Sequence, residues 1–175
     1  MPSANGPALS PSPAAGSPAL SLGIRELAPG DDPSAFRTLN EEWISRYFTL
    51  EAKDREQLGD PENSILRLGG RIFIARYNGE DVGCVAIVPK EEKCYELSKM
   101  AVKPECRGLG IGRALLRHAI GQARAAGASS LFLGSNSRLK AAISLYESAG
   151  FRHVPADRLP PMHYTRANVF MELLL

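Results

Sequence analysis

The sequence predicts a mixed α/β fold of the α+β type, with a mostly antiparallel sheet of about seven strands and helices on both faces. Three observations predict it. The 175 residues suit one domain, since domains commonly run to roughly 100–200 residues. The middle of the chain reads as an antiparallel meander whose first turn is Asn78-Gly79, a pair that favours positive φ at both positions of a type I′ hairpin. The second half alternates strand-like and helix-like segments, which lays helices against a sheet.

The elements follow in order. Of the first 23 residues, 18 are Pro, Ala, Ser or Gly, and none is charged or aromatic. Such a stretch buries too little apolar surface to offset its chain entropy, so residues 1–21 are expected to be a disordered tail. No basic n-region or Arg-rich leader precedes the domain expected over 22–175. Residues 22–27 suit a first strand. Asp31, Asp32 and Pro33 open a helix, because acidic residues favour its N-terminal dipole and Pro fits the first turn. Phe36, Leu39, Trp43, Tyr47 and Phe48 follow at helical spacing. A second helix is expected from Asp60-Pro61 to Gly69-Gly70. Strands are expected at 71–77, 82–88 and 94–102, and a helix at 109–126. A strand at 130–135, a helix at 138–149 and strands at 151–154 and 168–174 complete the chain.

Composition excludes several classes. No apolar run approaches the ~18 residues that span a bilayer. With 21 Lys and Arg against 19 Asp and Glu, the net charge is +2, which gives no support to a nucleic-acid binder. Cys84, Cys94 and Cys106 form no CxxC pair and read as free thiols of a reducing, cytoplasmic compartment. Cys84 and Cys94 stand where a hairpin over 82–102 can set them face to face. His118 and His153 lack a carboxylate or Cys at ligand spacing, so no metal site is expected.

The segment richest in chemistry runs Arg107-Gly108-Leu109-Gly110-Ile111-Gly112-Arg113. A strand enters a glycine turn, and the turn opens a helix. The glycines leave backbone N–H groups uncovered, at a helix end whose dipole favours an anion. Arg107 and Arg113 add donors. Residues 98–126 carry six basic residues against Glu105 alone, a local balance of +5. The pattern is a pyrophosphate cradle. It is not a P-loop, because no GxxxxGK[ST] string is present. It also departs from a dinucleotide fingerprint, because it follows the fourth expected strand and no acidic residue lies ~20 positions on.

The string from Arg107 to Gly112 resembles the [QR]-x-x-G-x-[GA] motif of the GNAT superfamily of acyl-CoA-dependent N-acetyltransferases. Glu96-Leu97-Ser98-Lys99-Met100-Ala101-Val102 resembles that family's fourth strand. Residues 142–151, AISLYESAGF, resemble its A-x-x-L-Y-x-x-x-G-F helix and strand. The resemblance covers about residues 22–175. It implies a sheet splayed between strands four and five, with acyl-CoA in the gap and acetyl-CoA as the co-substrate. It implies a bulge at 98–100 that turns the Met100 N–H toward the acetyl carbonyl, with the Ala101 and Val102 backbone pairing with pantetheine. Tyr146 is the implied general acid and Glu96 the implied base. Leu139 stands where the family often has an Asn that contacts pantetheine; Asn136 and Ser137 lie one turn earlier and can replace it. Arg138 and Lys140 can reach a phosphate. The family's first helices roof the acceptor pocket, which brings in Trp43, Tyr47 and Phe48. The segment from His163 to Asn168 leads back to that pocket, where Arg166 can pair with an acceptor carboxylate.

The expected function is transfer of an acetyl group to the primary amine of a small molecule such as an amino acid, by direct attack. Two alternatives share the cradle: a non-catalytic acyl-CoA-binding module, and an acetyltransferase acting on a protein amine. Family members are often dimers. No nucleic-acid or membrane partner is expected.

Overall fold

The computed structural model describes residues 21–91, 93–159 and 164–175. The tail expected over 1–21 thus lies, but for Ser21, outside the described residues, and so does His163. The chain forms β1 (Leu22–Glu26), α1 (Ser34–Tyr47), α2 (Ala52–Gly59), α3 (Pro61–Ser64), β2 (Arg71–Tyr77), β3 (Glu80–Pro89) and β4 (Cys94–Val102). It continues through α4 (Ile111–Ala125), β5 (Ser130–Ser135), α5 (Lys140–Ser148), β6 (Arg152–His153) and β7 (Val169–Leu174). The seven strands make one sheet in the order β1-β2-β3-β4-β5-β7-β6. Every neighbouring pair is antiparallel except β4 with β5.

The predicted hairpin forms at Asn78 (φ +50°) and Gly79 (φ +84°), both in the left-handed region that a type I′ turn requires. Beyond it, side chains alternate between faces, as a pleated strand dictates. Ile72, Ile74, Cys84, Ala86 and Val88 pack on one face with Phe36, Ile44 and Leu58 of α1 and α2. Phe73, Ala75, Val85 and Ile87 pack on the other with Leu115, Leu116, Ala119 and Tyr146 of α4 and α5. Runs apolar at every position, such as that in β3, are what a sheet covered on both faces needs.

Three points differ from the expectations. The helix expected from 60 to 69 is broken: α3 lasts one turn, and a 3-10 turn over Leu66–Leu68 follows. The helix α2 was not expected at all. Its sequence, AKDREQLG, is almost wholly polar and buries only Asp54, Gln57 and Leu58. What starts it is a capping box, in which Glu51 and Asp54 each accept from the other's backbone N–H. Cys84 and Cys94 do not meet either. Cys84 pairs with Ala101 and is buried, while Cys94 lies at the far end of β4 beside Ser130.

Candidate active site

The site begins where two strands part. The parallel pairing of β4 with β5 covers only Cys94 with Ser130, Tyr95 with Leu131 and Glu96 with Phe132. Past Glu96 the strands diverge. On its other side β4 pairs with β3, and there the register jumps from Ser98 opposite Ala86 to Ala101 opposite Cys84. Lys99 and Met100 are left opposite Val85 alone, which is a β-bulge. Lys99 takes φ +54°, a conformation that few non-glycine residues adopt. The bulge therefore sits at the expected place, with Lys99 and Met100 both lining the cleft beside β4.

A cleft of about 870 Å³ opens at the split, within the usual range for small-molecule sites. The glycine turn forms its floor on the α4 side. Gly108 and Gly110 have φ of +78° and +81°, and a Cβ at either would meet nothing within 4 Å. The left-handed backbone at these two positions delays the start of α4 to Ile111, two residues after the expected start. The N–H groups of residues 108–113 have no partner among the described residues; Ala114 is the first to find one, on Gly110 O at 3.0 Å. Six uncovered donors at a helix start make a ready anion site. Leu109 alone of the motif keeps off the cleft, 54% exposed.

Tyr146 enters from α5. Its ring packs against Phe151 with centroids 5.9 Å apart, and its hydroxyl has no hydrogen-bond partner among the described residues. Burial pushes its pKa up to about 12, so it holds its proton at neutral pH. Glu96 lines the cleft from β4; its Oε2 holds Lys90 Nζ at 2.7 Å. Trp43, Tyr47 and Phe48 line the cleft from the end of α1. Arg107 stands beside the Tyr47 hydroxyl and draws that phenol below its ordinary pKa. Arg138 donates to Tyr47 O at 3.2 Å and lies over the Phe48 ring, 5.4 Å from its centre, so it joins the turn before α5 to the end of α1. Met100, Ala101, Val102, Gly112, Arg113 and Lys140 also reach the cleft.

Two expected contacts differ. Asn136 lines the cleft, but its amide is engaged by the chain: Nδ2 donates to Arg166 O at 2.6 Å and Oδ1 accepts from Arg138 N at 2.9 Å. Arg166 does not present a free fork to the cleft. Its Nη1 and Nη2 donate to the two oxygens of Asp54 at 2.6 and 2.8 Å.

Asp54 is the centre of a cluster that the sequence did not disclose. Lys99 Nζ lies 3.0 Å from Asp54 Oδ1, with side-chain exposures of 3% and 0%. The same ammonium donates to Tyr164 Oη at 2.7 Å, and that hydroxyl donates to Gln57 Oε1 at 3.1 Å. Glu51 accepts from the N–H groups of Thr165 and Arg166. Burial alone raises the Asp54 carboxyl, but the Arg166 hydrogen bonds and the Lys99 charge outweigh it and hold the pKa at about 2. Burial lowers Lys99 against the pull of Asp54, and it raises Tyr164. Lys99, Tyr164 and Arg166 all face the cleft. Only the Glu51-x-x-Asp54 capping pattern could have drawn attention to this region from sequence.

Among the described residues no group of His, Cys, Asp and Glu is arranged to hold a metal, and no helix is long and apolar enough to cross a membrane.

Residues 35–151 match the family model described as the acetyltransferase (GNAT) family. An uncharacterised N-acetyltransferase of Escherichia coli (strain K12) is 32% identical over 139 residues, which cover 75% of this chain and 82% of that one. The N-acetylaspartate synthetase of Xenopus tropicalis is 38% identical over 107 residues, 60% of this chain and 40% of that protein. Among solved structures, a GNAT-family acetyltransferase of Staphylococcus aureus superposes with a TM-score of 0.78 at 22% identity, covering 87% of this chain and 98% of that one. An acetyltransferase from Salmonella typhimurium, solved with its cofactor acetyl-CoA, gives 0.65 at 22% identity over 87% and 93%.

Proposed function

The chain belongs to the GNAT acetyltransferase family, and from that premise we propose that it moves the acetyl group of acetyl-CoA to the primary amine of a small molecule such as an amino acid. One observation carries the proposal. A single cleft joins the bare N–H turn of 108–113, the bulge at Met100 and the Tyr146 phenol.

In this reading the turn and Arg107 hold the pyrophosphate, and the free edge of β4 at Ala101 and Val102 pairs with pantetheine like an added strand. The amine nitrogen attacks the thioester carbonyl carbon. As the C–N bond forms, negative charge gathers on the carbonyl oxygen, and the Met100 N–H donates to it. One such preorganised donor is worth on the order of 3 kcal/mol in the transition state. Glu96, directly or through a water, takes the proton the amine loses. The C–S bond then breaks, and Tyr146 gives its proton to the departing thiolate. Burial keeps that phenol protonated at neutral pH, so a proton stands ready beside the sulfur as the C–S bond breaks.

Two features support a small acceptor. Trp43, Tyr47, Phe48 and the cluster around Tyr164 wall the acceptor side of the cleft, where a peptide would need an open groove. A relative also carries the name N-acetylaspartate synthetase. Three free cysteines support a cytoplasmic setting. Calorimetric titration with acetyl-CoA, followed by a screen of amino acids, simple amines and peptides for thiol release, tests the reading. No binding at millimolar acetyl-CoA overturns it. Tight binding without thiol release from any amine turns it toward a sensing module.

A further inference from the structure

A buried charge stands next to the proposed oxyanion donor. Lys99 is the bulged residue itself, directly before Met100, in a left-handed backbone conformation that a lysine does not favour (φ +54°). Something must hold it there. Its ammonium runs off the sheet to Asp54 at 3.0 Å and to Tyr164 at 2.7 Å, and it lies 4.6 Å from the centre of the Tyr164 ring. Asp54 is in turn fixed from two sides. Its Oδ2 accepts the Glu51 N–H at the start of α2, and both its oxygens accept from Arg166. One wholly buried carboxylate thus joins the β4 bulge, the first turn of α2 and the segment before β7.

We propose that Lys99 is a positioning residue: its ion pair with Asp54 sets the bulge so that the Met100 N–H points at the acetyl carbonyl. The proposal rests on the oxyanion role given to Met100. Loss of a partner from a buried pair lets the bulge relax toward ordinary strand pairing, and the N–H then turns from the cleft. The pyrophosphate turn at 108–113 belongs to a separate segment, so cofactor affinity should survive. The same carboxylate holds Arg166 directly and Tyr164 through the Lys99 ammonium, so the acceptor wall and the oxyanion donor are set by one ion pair.

The carbonyl itself reports the difference. Acetyl-CoA labelled with 13C at the thioester carbonyl is bound to the protein, and its infrared C=O band is compared with that of the free cofactor. Hydrogen bonding from Met100 should move the band to lower frequency in the native protein. In Lys99→Met the shift should be lost while the acetyl-CoA Kd stays within about twofold. Turnover with any amine found in the screen should fall about tenfold to a hundredfold, the range a misplacement on the order of 1 Å produces. Lys99→Arg, which restores the charge, should recover much of the band shift; a merely structural site would not link that recovery to the carbonyl. If Lys99→Met does not fold, Lys99→Gln, one bond shorter than lysine, keeps a polar donor beside Asp54 without the charge. An undiminished shift in either folded variant overturns the proposal. A native protein that binds acetyl-CoA with no shift at all removes the Met100 reading instead, and the positioning role falls with it.

Discussion

The two sides of the cleft are built from different materials. The side proposed to hold the cofactor is backbone: a turn with two left-handed glycines and a row of uncovered N–H groups, open to solvent. The side proposed to receive the acceptor is side chain: Lys99, Asp54, Tyr164 and Arg166 locked together with almost no exposure at the central pair. A backbone cradle recognises what every acyl-CoA shares, the phosphates and the pantetheine edge. A wall of interlocked side chains can change one residue at a time and so can fit one acceptor. The contrast also separates two kinds of fragility, one of local geometry and one of burial.

The sharpest test strikes the backbone side. Gly110→Asp adds a carboxylate to the cradle and a Cβ at φ +81°. Like charges forced together cost several kcal/mol, so acetyl-CoA affinity should fall by about a hundredfold or more. Calorimetry reads it, and Gly110→Ala separates the conformational share from the charge. An Asp variant that binds normally would break the idea that this turn holds the phosphates.

Next comes the buried side. Asp54→Asn leaves two cations facing an uncharged amide, and breaking such a pair typically costs about 3 kcal/mol. Urea unfolding at neutral pH should show that loss. The pH dependence has a definite sign. The carboxyl is held at about 2 against an ordinary 3.8, so on acidification the unfolded chain takes up the proton first. The stability this contributes, about 2 kcal/mol from the size of the shift, is whole above about pH 4 and lost as pH falls toward 2. That acid slope should vanish from the Asn variant; if it persists, another group carries it.

Tyr146→Phe should lower turnover about a hundredfold, within the usual range for general acid–base catalysis, and leave the acetyl-CoA Kd unchanged. With the phenol pKa at about 12, the native rate should show no alkaline decline from this group below pH 10. Unchanged turnover in the Phe variant removes the acid role. The smallest effect is expected of Glu96→Gln, about tenfold in turnover if a water shares the work. Its ion pair with Lys90 lies toward the rim, so stability should hardly change, and denaturation beside the rate assay separates the two.

Legibility in the sequence followed the same division. Gly108 and Gly110 could be read because a left-handed turn before a helix is written in consecutive residues. The Asn78-Gly79 hairpin, the span of β4 and the run through Leu145 and Tyr146 were legible for that reason, and so was the single-sheet architecture. The helix α2 was missed because it has almost no apolar face; it forms through its capping box and through Leu58 packing in the core. Arg166 was placed at the acceptor side, but its partner was taken to be a ligand. The carboxylate it holds within the chain, that of Asp54, lies 112 residues away, and no spacing rule reaches that far.

By itself, then, the sequence determined the fold class, the order of the strands along the chain, the glycine turn before α4 and the position of the phenol. The first three follow from φ preferences and side-chain periodicity within a few residues, and the phenol from the resemblance of its segment to a family motif. The tertiary structure alone decided that Lys99, Asp54, Tyr164 and Arg166 meet, that the carboxylate stays charged in a dry interior, and that the β4 bulge is tied to α2 and to the segment before β7. Charges enter an interior only when partners are already in place to offset lost hydration, and those partners come from three distant segments that meet only once the sheet has formed.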